Sequence, residues 1–202
     1  MLMKRSFDIL LSSIGLLVSI PLWLLIVLGI KLEDGGLVFY LQERMGKNGK
    51  IFKVIKFRSM IVDAEKEAGP IQATEHDPRV TKIGSLLRKT AMDELPQLIN
   101  IFKGDMSFVG PRALRPAEKE VFGKEDEIEI EKIPGYQKRL EVTPGLTGLA
   151  QVYIPADAPR RQKFRYDMLY VKKQSFCLDM KLVLLSFWIT FKGKWESREK
   201  KI

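Results

Sequence analysis

Residues 9–30, ILLSSIGLLVSIPLWLLIVLGI, carry no charged side chain over 22 positions and hold a proline near their centre. A straight helix of that length measures roughly 33 Å, enough to cross a hydrocarbon core. The run is too long for a signal-peptide core, and no small-x-small cleavage site follows it, so it is expected to stay and to meet lipid. Pro21 cannot donate to the carbonyl of Leu17, and it bends the helix. Each half, about ten residues, is too short to span alone. Two paths are open. One is a single span that tolerates its proline; the other is a kinked helix that enters and leaves by one leaflet, with Ser19 satisfying freed backbone groups. Lys4 and Arg5 precede the run, and Lys31, Arg44, Lys47 and Lys50 follow it. Basic residues at both ends favour both ends on the cytoplasmic side.

Outward from that segment, 202 residues make room for one ordinary domain with an appended element. Lys and Arg number 34 against 25 Asp and Glu, and a net charge of +9 points to an anionic partner. A single cysteine, Cys177, excludes an internal disulfide and a cysteine-rich zinc site. It lies in the apolar run QSFCLDMKLVLL, where a packed, inert thiol is expected. A serine–histidine–aspartate triad or a histidine metal cage would hang on the one histidine, His76. Acid–base and nucleophilic work therefore falls to carboxylates, with Lys and Arg as electrostatic help.

Residues 37–57, LVFYLQERMGKNGKIFKVIKF, read as two strands joined by a turn around Gly46 to Gly49, a β-hairpin. Residues 61–80 are polar and broken at Gly69-Pro70, as a loop or lid would be. Residues 116–133 predict an acidic, solvated helix. Residues 142–152, VTPGLTGLAQV, form a turn-rich connector whose glycines would let backbone approach a ligand. Residues 180–195 mix Leu, Phe and Trp with terminal lysines, which suits either the membrane interface or a core helix. The tail, ESREKKI, is expected to be disordered.

The stretch TAMDELPQL (90–98) sets Asp93 and Glu94 side by side just before Pro96. Proline is tolerated in a helix's first turn and costs roughly 3 kcal/mol further in, so a helix should begin near Asp93 and run to Gly104, with Leu95, Leu98, Ile99 and Phe102 as its apolar stripe. The plain account is a helix cap: acids in the first turn gain about 0.3–1 kcal/mol from the helix dipole. The chemical account uses the same geometry, since a helix start keeps a carboxylate ionised and attracts phosphate. Adjacent residues project about 100° apart, so the pair should hold separate jobs. Arg88, Lys89, Lys103, Arg112 and Arg115 surround the acids in sequence, and such cations cancel the repulsion that an anion meets when it attacks a phosphoryl group.

Five blocks in this order resemble the monotopic phosphoglycosyl transferases, or bacterial sugar transferases: KRSFDILLSSIGLLVSIPLWLL, FYLQERMGKNGKIFKVIKFRSM, RVTKIGSLLRKTAMDELPQLINIFKGDMSFVGPR, TPGLTGLAQV and FRYDMLYVKKQSFCLDMKLV. The match runs from about residue 4 to 190, and the DELPQL…KGDMSFVGPR block is highly specific. The resemblance implies an α+β, predominantly helical fold with a re-entrant membrane helix broken at Ser19 and Pro21, interfacial amphipathic helices and a small β-hairpin. It divides the chain into a membrane helix (1–35), a cytosolic membrane-associated catalytic domain (36–192) and a basic tail (193–202). It implies that Asp93 attacks the β-phosphate of a UDP-sugar, expels UMP and becomes a phosphosugar-aspartate, from which polyprenyl (undecaprenyl) phosphate takes the phosphosugar. Asp93 and Glu94 are then the catalytic residues and hold Mg²⁺. Lys56, Arg58, Arg88, Arg112, Gln151 and Asp167 are the phosphate- and substrate-binding candidates. The implied place is the cytosolic face of a bacterial inner membrane. Two departures stand out: Ala113 replaces the proline of the family's Gly-Pro-Arg-Pro, and Ile20 intervenes between Ser19 and Pro21.

The terminal phosphate of a lipid acceptor is largely ionised near neutral pH and scarcely needs a general base. Glu94 is therefore expected to position Mg²⁺ or a basic residue. The rival account is a non-catalytic adaptor whose +9 charge holds anionic lipid. Nucleic-acid binding, the other use of a basic chain, lacks a recognition helix or an aromatic RNA-binding motif and sits badly with an apolar 22-residue run.

Overall fold

In a computed structural model, described here for residues 2–64, 77–122, 126–193 and 195, a helix α1 (Leu2–Asp34) runs through Pro21 and holds it in its interior. Helical residues continue on both sides of the proline, so the break expected at Ser19 and Pro21 does not interrupt the helix. The hydroxyl of Ser19 donates to the carbonyl of Leu16 at 3.2 Å. The helix is long and apolar enough to cross a membrane by length and composition. One face is exposed and apolar, including Leu10, Leu17, Val18, Leu24, Leu25 and Leu28.

Both ends of α1 are tied to the same body. At the N-terminal end, Arg5 donates to the carbonyls of Ile101 (2.7 Å) and Phe102 (2.6 Å), capping the C-terminus of another helix, α3 (Gln97–Lys103). Lys4 donates to the Val109 carbonyl at 2.9 Å and pairs with Asp179 at 2.6 Å. At the C-terminal end, the Glu33 carboxylate accepts from the Lys82 and Ile83 N–H groups, capping helix α2 (Lys82–Lys89) at its start. Between the ends, Gly15 lies under Leu98, where an added Cβ would come within 3.1 Å of the Leu98 side chain.

The hairpin forms as the alternating residues predict: β1 (Phe39–Met45) pairs antiparallel with β2 (Ile51–Phe57), from Phe39 opposite Phe57 to Met45 opposite Ile51. Asn48 (φ 56°) and Gly49 (φ 77°) take the left-handed turn positions. The other edge of β2 is held by one side chain of α3. Asn100 accepts from the Ile55 N–H at 3.0 Å and donates to the Lys53 carbonyl at 2.8 Å, as a neighbouring strand would.

A short parallel pair, β3 (Ser107–Val109) with β6 (Gly145–Thr147), holds the Gly110-Pro111-Arg112 turn. The glycines here serve backbone against backbone: a Cβ on Gly145 would sit 2.0 Å from the Gly110 nitrogen, and one on Gly148 2.2 Å from the Gly110 oxygen. Three short or mid-length helices follow: α4 (Tyr136–Arg139), α5 (Leu149–Tyr153) and α6 (Arg160–Lys173). The last helix, α7 (Phe176–Phe191), buries Leu182, Val183 and Ile189, while Leu184, Phe187, Trp188 and Phe191 stay exposed. It is thus a core helix on one side and an apolar surface on the other.

Three expectations are corrected. Residues 116–133 are not an acidic helix: β4 (Lys119–Phe122) and β5 (Asp126–Glu129) pair antiparallel and lead into a 3₁₀ turn, Ile130–Lys132. The alternation Glu127-Ile128-Glu129-Ile130 has the period of a strand, and that period outweighs the helix propensity of glutamate. Cys177 is exposed in the first turn of α7 rather than packed. The core face of α3 is Leu98 and Ile101 with Asn100, and Phe102 is exposed. Leu95 and Leu98 of the expected stripe pack as read, and Ile101, one turn on at i+3 from Leu98, takes the place of Phe102. His76, most of the 61–80 loop and the ESREKKI tail lie outside the described residues.

Candidate active site

The segment between α2 and α3 sets the two acids. After α2 the chain turns through Ala91, held in the left-handed region at φ 55°, into a single 3₁₀ turn, Met92–Glu94. Asp93 is therefore no helix cap: it is the middle residue of that turn, and Pro96 (φ −63°) leads into α3. Both acids are buried, Asp93 to 9% and Glu94 to 5% exposure.

Glu94 is the hub. Its Oε1 accepts from Lys56 Nζ and from an Arg112 guanidinium nitrogen, each at 2.7 Å. Its Oε2 is buried with no hydrogen-bond partner among the described residues. Burial alone would raise the Glu94 pKa; the Arg112 and Lys56 charges and their hydrogen bonds outweigh it and hold the carboxyl well below the ordinary carboxylate range. Each cation arrives on a fixed support. Lys56 shares a strand face with buried Val54, and Asn100 fixes that strand. Arg112 follows the glycine-tight turn described above, where the Pro111 carbonyl accepts from the Gly145 N–H at 2.9 Å.

A small recess of about 10 Å³ opens at this cluster, lined by Lys56, Glu94, Gln97 and Arg112, and by Arg44, which the sequence presented only as a basic flank of the apolar run. Arg44 donates to the Ala113 carbonyl at 2.9 Å and to Gln42. Burial pulls its pKa down, and so do the nearby charges of Arg112 and Arg115. Ala113, where the resemblance expects proline, is buried and supplies that carbonyl. A recess this rich in guanidinium and ammonium groups attracts a multiply charged anion such as a diphosphate.

The remaining candidates fall in different places. Arg88 is in the last turn of α2, and its carbonyl accepts from the Ala91 N–H at the start of the acidic turn. Gln151 is half-buried on α5, its Oε1 beside Gly148. Arg58 is bound to Asp34 at the end of α1 and to the Leu37 carbonyl, so it joins α1 to the hairpin. Asp167 is 3% exposed and pairs with Arg139 at 2.9 Å. The structure thus gathers Lys56, Glu94 and Arg112 into one contact set beside Asp93, and leaves Arg58 and Asp167 with partners elsewhere. Arg44 and Arg139 escaped the sequence because isolated arginines carry no periodic or spacing signal of their role.

For a metal, the chain offers two carboxylates. Among the described residues no three His, Cys, Asp or Glu side chains group as a cage. Glu94 Oε2, buried and without a hydrogen-bond partner among the described residues, is the oxygen donor the site shows, and Asp93 is the neighbouring carboxylate in sequence. That donor set fits a hard divalent cation, which binds through one or two carboxylates plus substrate phosphates.

Comparison with known proteins agrees with the geometry. The family model for bacterial sugar transferases matches residues 1–193. The exopolysaccharide production protein PSS of Rhizobium leguminosarum bv. phaseoli is 41% identical over 188 residues, covering 91% of this chain and 92% of that protein. The UDP-glucose:undecaprenyl-phosphate glucose-1-phosphate transferase of Escherichia coli K12 is 40% identical over 197 residues, covering 95% of this chain but 40% of that longer protein. A putative undecaprenyl-phosphate N-acetylgalactosaminyl 1-phosphate transferase of Bacillus subtilis 168 is 48% identical over 137 residues, 68% of this chain and 72% of that one. With a match that runs nearly end to end and takes in the acidic turn, the hairpin lysine and the Gly-Pro-Arg turn, the chain belongs to the bacterial sugar transferase family.

Proposed function

We propose that the chain transfers a sugar 1-phosphate from a UDP-sugar to polyprenyl phosphate by way of a covalent Asp93 intermediate, releasing UMP. One observation carries the reading: next to Asp93, a buried carboxylate gathers Lys56 and Arg112 at a small cationic recess. The names of the relatives supply the reaction class, sugar-phosphate transfer to undecaprenyl phosphate.

The steps follow from charge. Arg112, Lys56 and Arg44 neutralise the donor's diphosphate, so that an Asp93 oxygen reaches the β-phosphorus without anion–anion repulsion. The new Asp93 O–P bond forms as the bond from the β-phosphorus to the bridging oxygen breaks, and UMP leaves with that electron pair. An oxygen of the acceptor phosphate then attacks the same phosphorus, giving polyprenyl-diphosphate-sugar and returning the Asp93 carboxylate. Splitting the transfer in two spares the site from holding both anionic substrates at once. Asp93 and Glu94 would hold Mg²⁺, which when bound neutralises phosphate charge on the leaving UMP. Glu94 keeps Lys56 and Arg112 in place, the positioning role expected from the sequence.

The membrane path follows from the two tethers of α1. A helix whose Arg5 end and Glu33 end both bind one body cannot leave that body on one side and finish on the other. This supports a monotopic, re-entrant seat at the cytosolic face, with the apolar surfaces of α1 and α7 in lipid. The adaptor reading needs none of the acidic turn. Release of UMP from a panel of UDP-sugars in detergent, with undecaprenyl phosphate present, separates the two: an enzyme releases it with at least one sugar, an adaptor with none.

A further inference from the structure

Asp167 and Arg139 are both 3% exposed, deep in the cluster formed by Leu114, Ile133, Tyr136 and Phe164. The Arg139 guanidinium has two functional edges. Nε donates to Asp167 Oδ2 at 2.9 Å, and an NH₂ nitrogen donates to the backbone carbonyl of Arg112 at 2.5 Å. Its plane lies over the Phe164 ring, 4.7 Å from the centroid. Burial lowers the Arg139 pKa and raises that of Asp167, and each partner's charge opposes the change in the other. Such a pair is poor at stabilising a fold, since well-packed apolar residues of the same volume usually do as well or better. What apolar residues cannot do is hold a carbonyl.

We propose that Asp167 and Arg139 are positioning residues for Arg112: by fixing the carbonyl of residue 112, they aim its guanidinium at Glu94 and at the donor's phosphates. This rests on the transferase reading for its kinetic consequence, not for its geometry. Asp167 Oδ2, Arg139, the Arg112 carbonyl and the Arg112 side chain on Glu94 Oε1 form one unbroken chain of contacts. The orientation of a peptide carbonyl constrains the direction in which the same residue's side chain leaves the backbone, so a loose carbonyl means a loosely aimed guanidinium. Asp167 then acts three contacts away from Glu94 and touches no substrate.

The test is a double variant, Arg139→Met with Asp167→Leu, made in the wild-type chain and in an Arg112→Ala background. The expected melting midpoint matches or exceeds that of the parent. In the wild-type background kcat for UMP release should fall about tenfold or more, with a smaller change in donor KM; in the Arg112→Ala background the same change should cost less than about twofold. Equal losses in both backgrounds, or no loss in either, would overturn the proposal. Asp167→Asn, which removes charge but keeps an acceptor for Arg139, should show the same dependence on Arg112 in milder form, and serves if the double variant does not fold. Side-chain ¹⁵N NMR of Arg112, assigned through Arg112→Lys, gives a readout without catalysis. Wild type should show a hindered guanidinium and the variants a rotationally averaged one, and an unchanged signal would refute the positioning role. If wild type released UMP from no donor, the transferase reading would fail while the NMR result still judged this proposal.

Discussion

Arg112, in the turn after β3, reaches Glu94 and shares one carboxylate oxygen with Lys56, which comes from the hairpin at the same 2.7 Å. Three separate stretches of chain therefore meet on a single atom. Removing the charge of that atom frees both cations at once. Glu94→Gln is expected to lower kcat/KM by about 100-fold, the scale of losing a preorganised electrostatic contact. It should also raise the Mg²⁺ concentration needed for half-maximal rate. A variant with full activity and unchanged Mg²⁺ dependence would remove Glu94 from the site.

The pH dependence of that loss follows from the direction of the Glu94 shift. A carboxyl held below its ordinary value contributes fully above the unfolded pKa and loses its contribution only as pH falls through the folded one. Between about pH 5 and 9 the group stays ionised, so the ratio of wild-type to Glu94→Gln rates should be flat. A ratio that climbs through this window would mean that Glu94 titrates as an acid or base. The check is a pair of pH–rate profiles at saturating donor.

Arg58 is bound to Asp34, and the Arg58 hydrogen bond holds that carboxyl down to about 2. The folded pKa is depressed, so the pair's contribution is present at neutral pH and fades as pH falls below the ordinary carboxylate range. Arg58→Ala should leave the KM for the donor within about twofold and lower the melting midpoint instead, as loss of an ion pair between two elements does. A large rise in KM with no change in melting would return Arg58 to the substrate site.

Both ends of α1 should lie on one side of the membrane. With Cys177→Ser as background, single cysteines at Leu2 and Leu37 are expected to react with an impermeant maleimide from the same side of sealed, oriented vesicles. Labelling from opposite sides would mean a spanning helix, and the contacts of Arg5 and Glu33 could not both persist.

Gly145 tests the support of the Arg112 turn. Its added Cβ would meet the Gly110 nitrogen at 2.0 Å, and backbone on both sides leaves nowhere to move. Gly145→Ala should cost about 3 kcal/mol, the upper range for overpacking, read as a lower melting midpoint in detergent.

Legibility varied with the range of the interactions. The hairpin was readable because alternation and a turn rich in Gly and Asn are local. The long apolar helix declared itself by length and lack of charge. The acidic β-pair was missed because glutamate-rich composition was weighed above the period-2 pattern within it. Asp93, Glu94, Lys56 and Arg112 were legible as a set only through the family pattern, since each alone reads as a cap or a solvated charge. Asp167 was legible as a position but not as a role. Its partner, Arg139, lies 28 residues away on another helix, and no local signal connects them.

The most direct measurement is to incubate the enzyme with a UDP-sugar carrying ³²P at the β-position, without acceptor, and to locate the label. The account predicts radioactive protein with the phosphosugar on Asp93 by peptide mass spectrometry, none on Asp93→Asn, and discharge of the label on adding undecaprenyl phosphate. Label that survives Asp93→Asn, or UMP release with no labelled protein at any time, would contradict it.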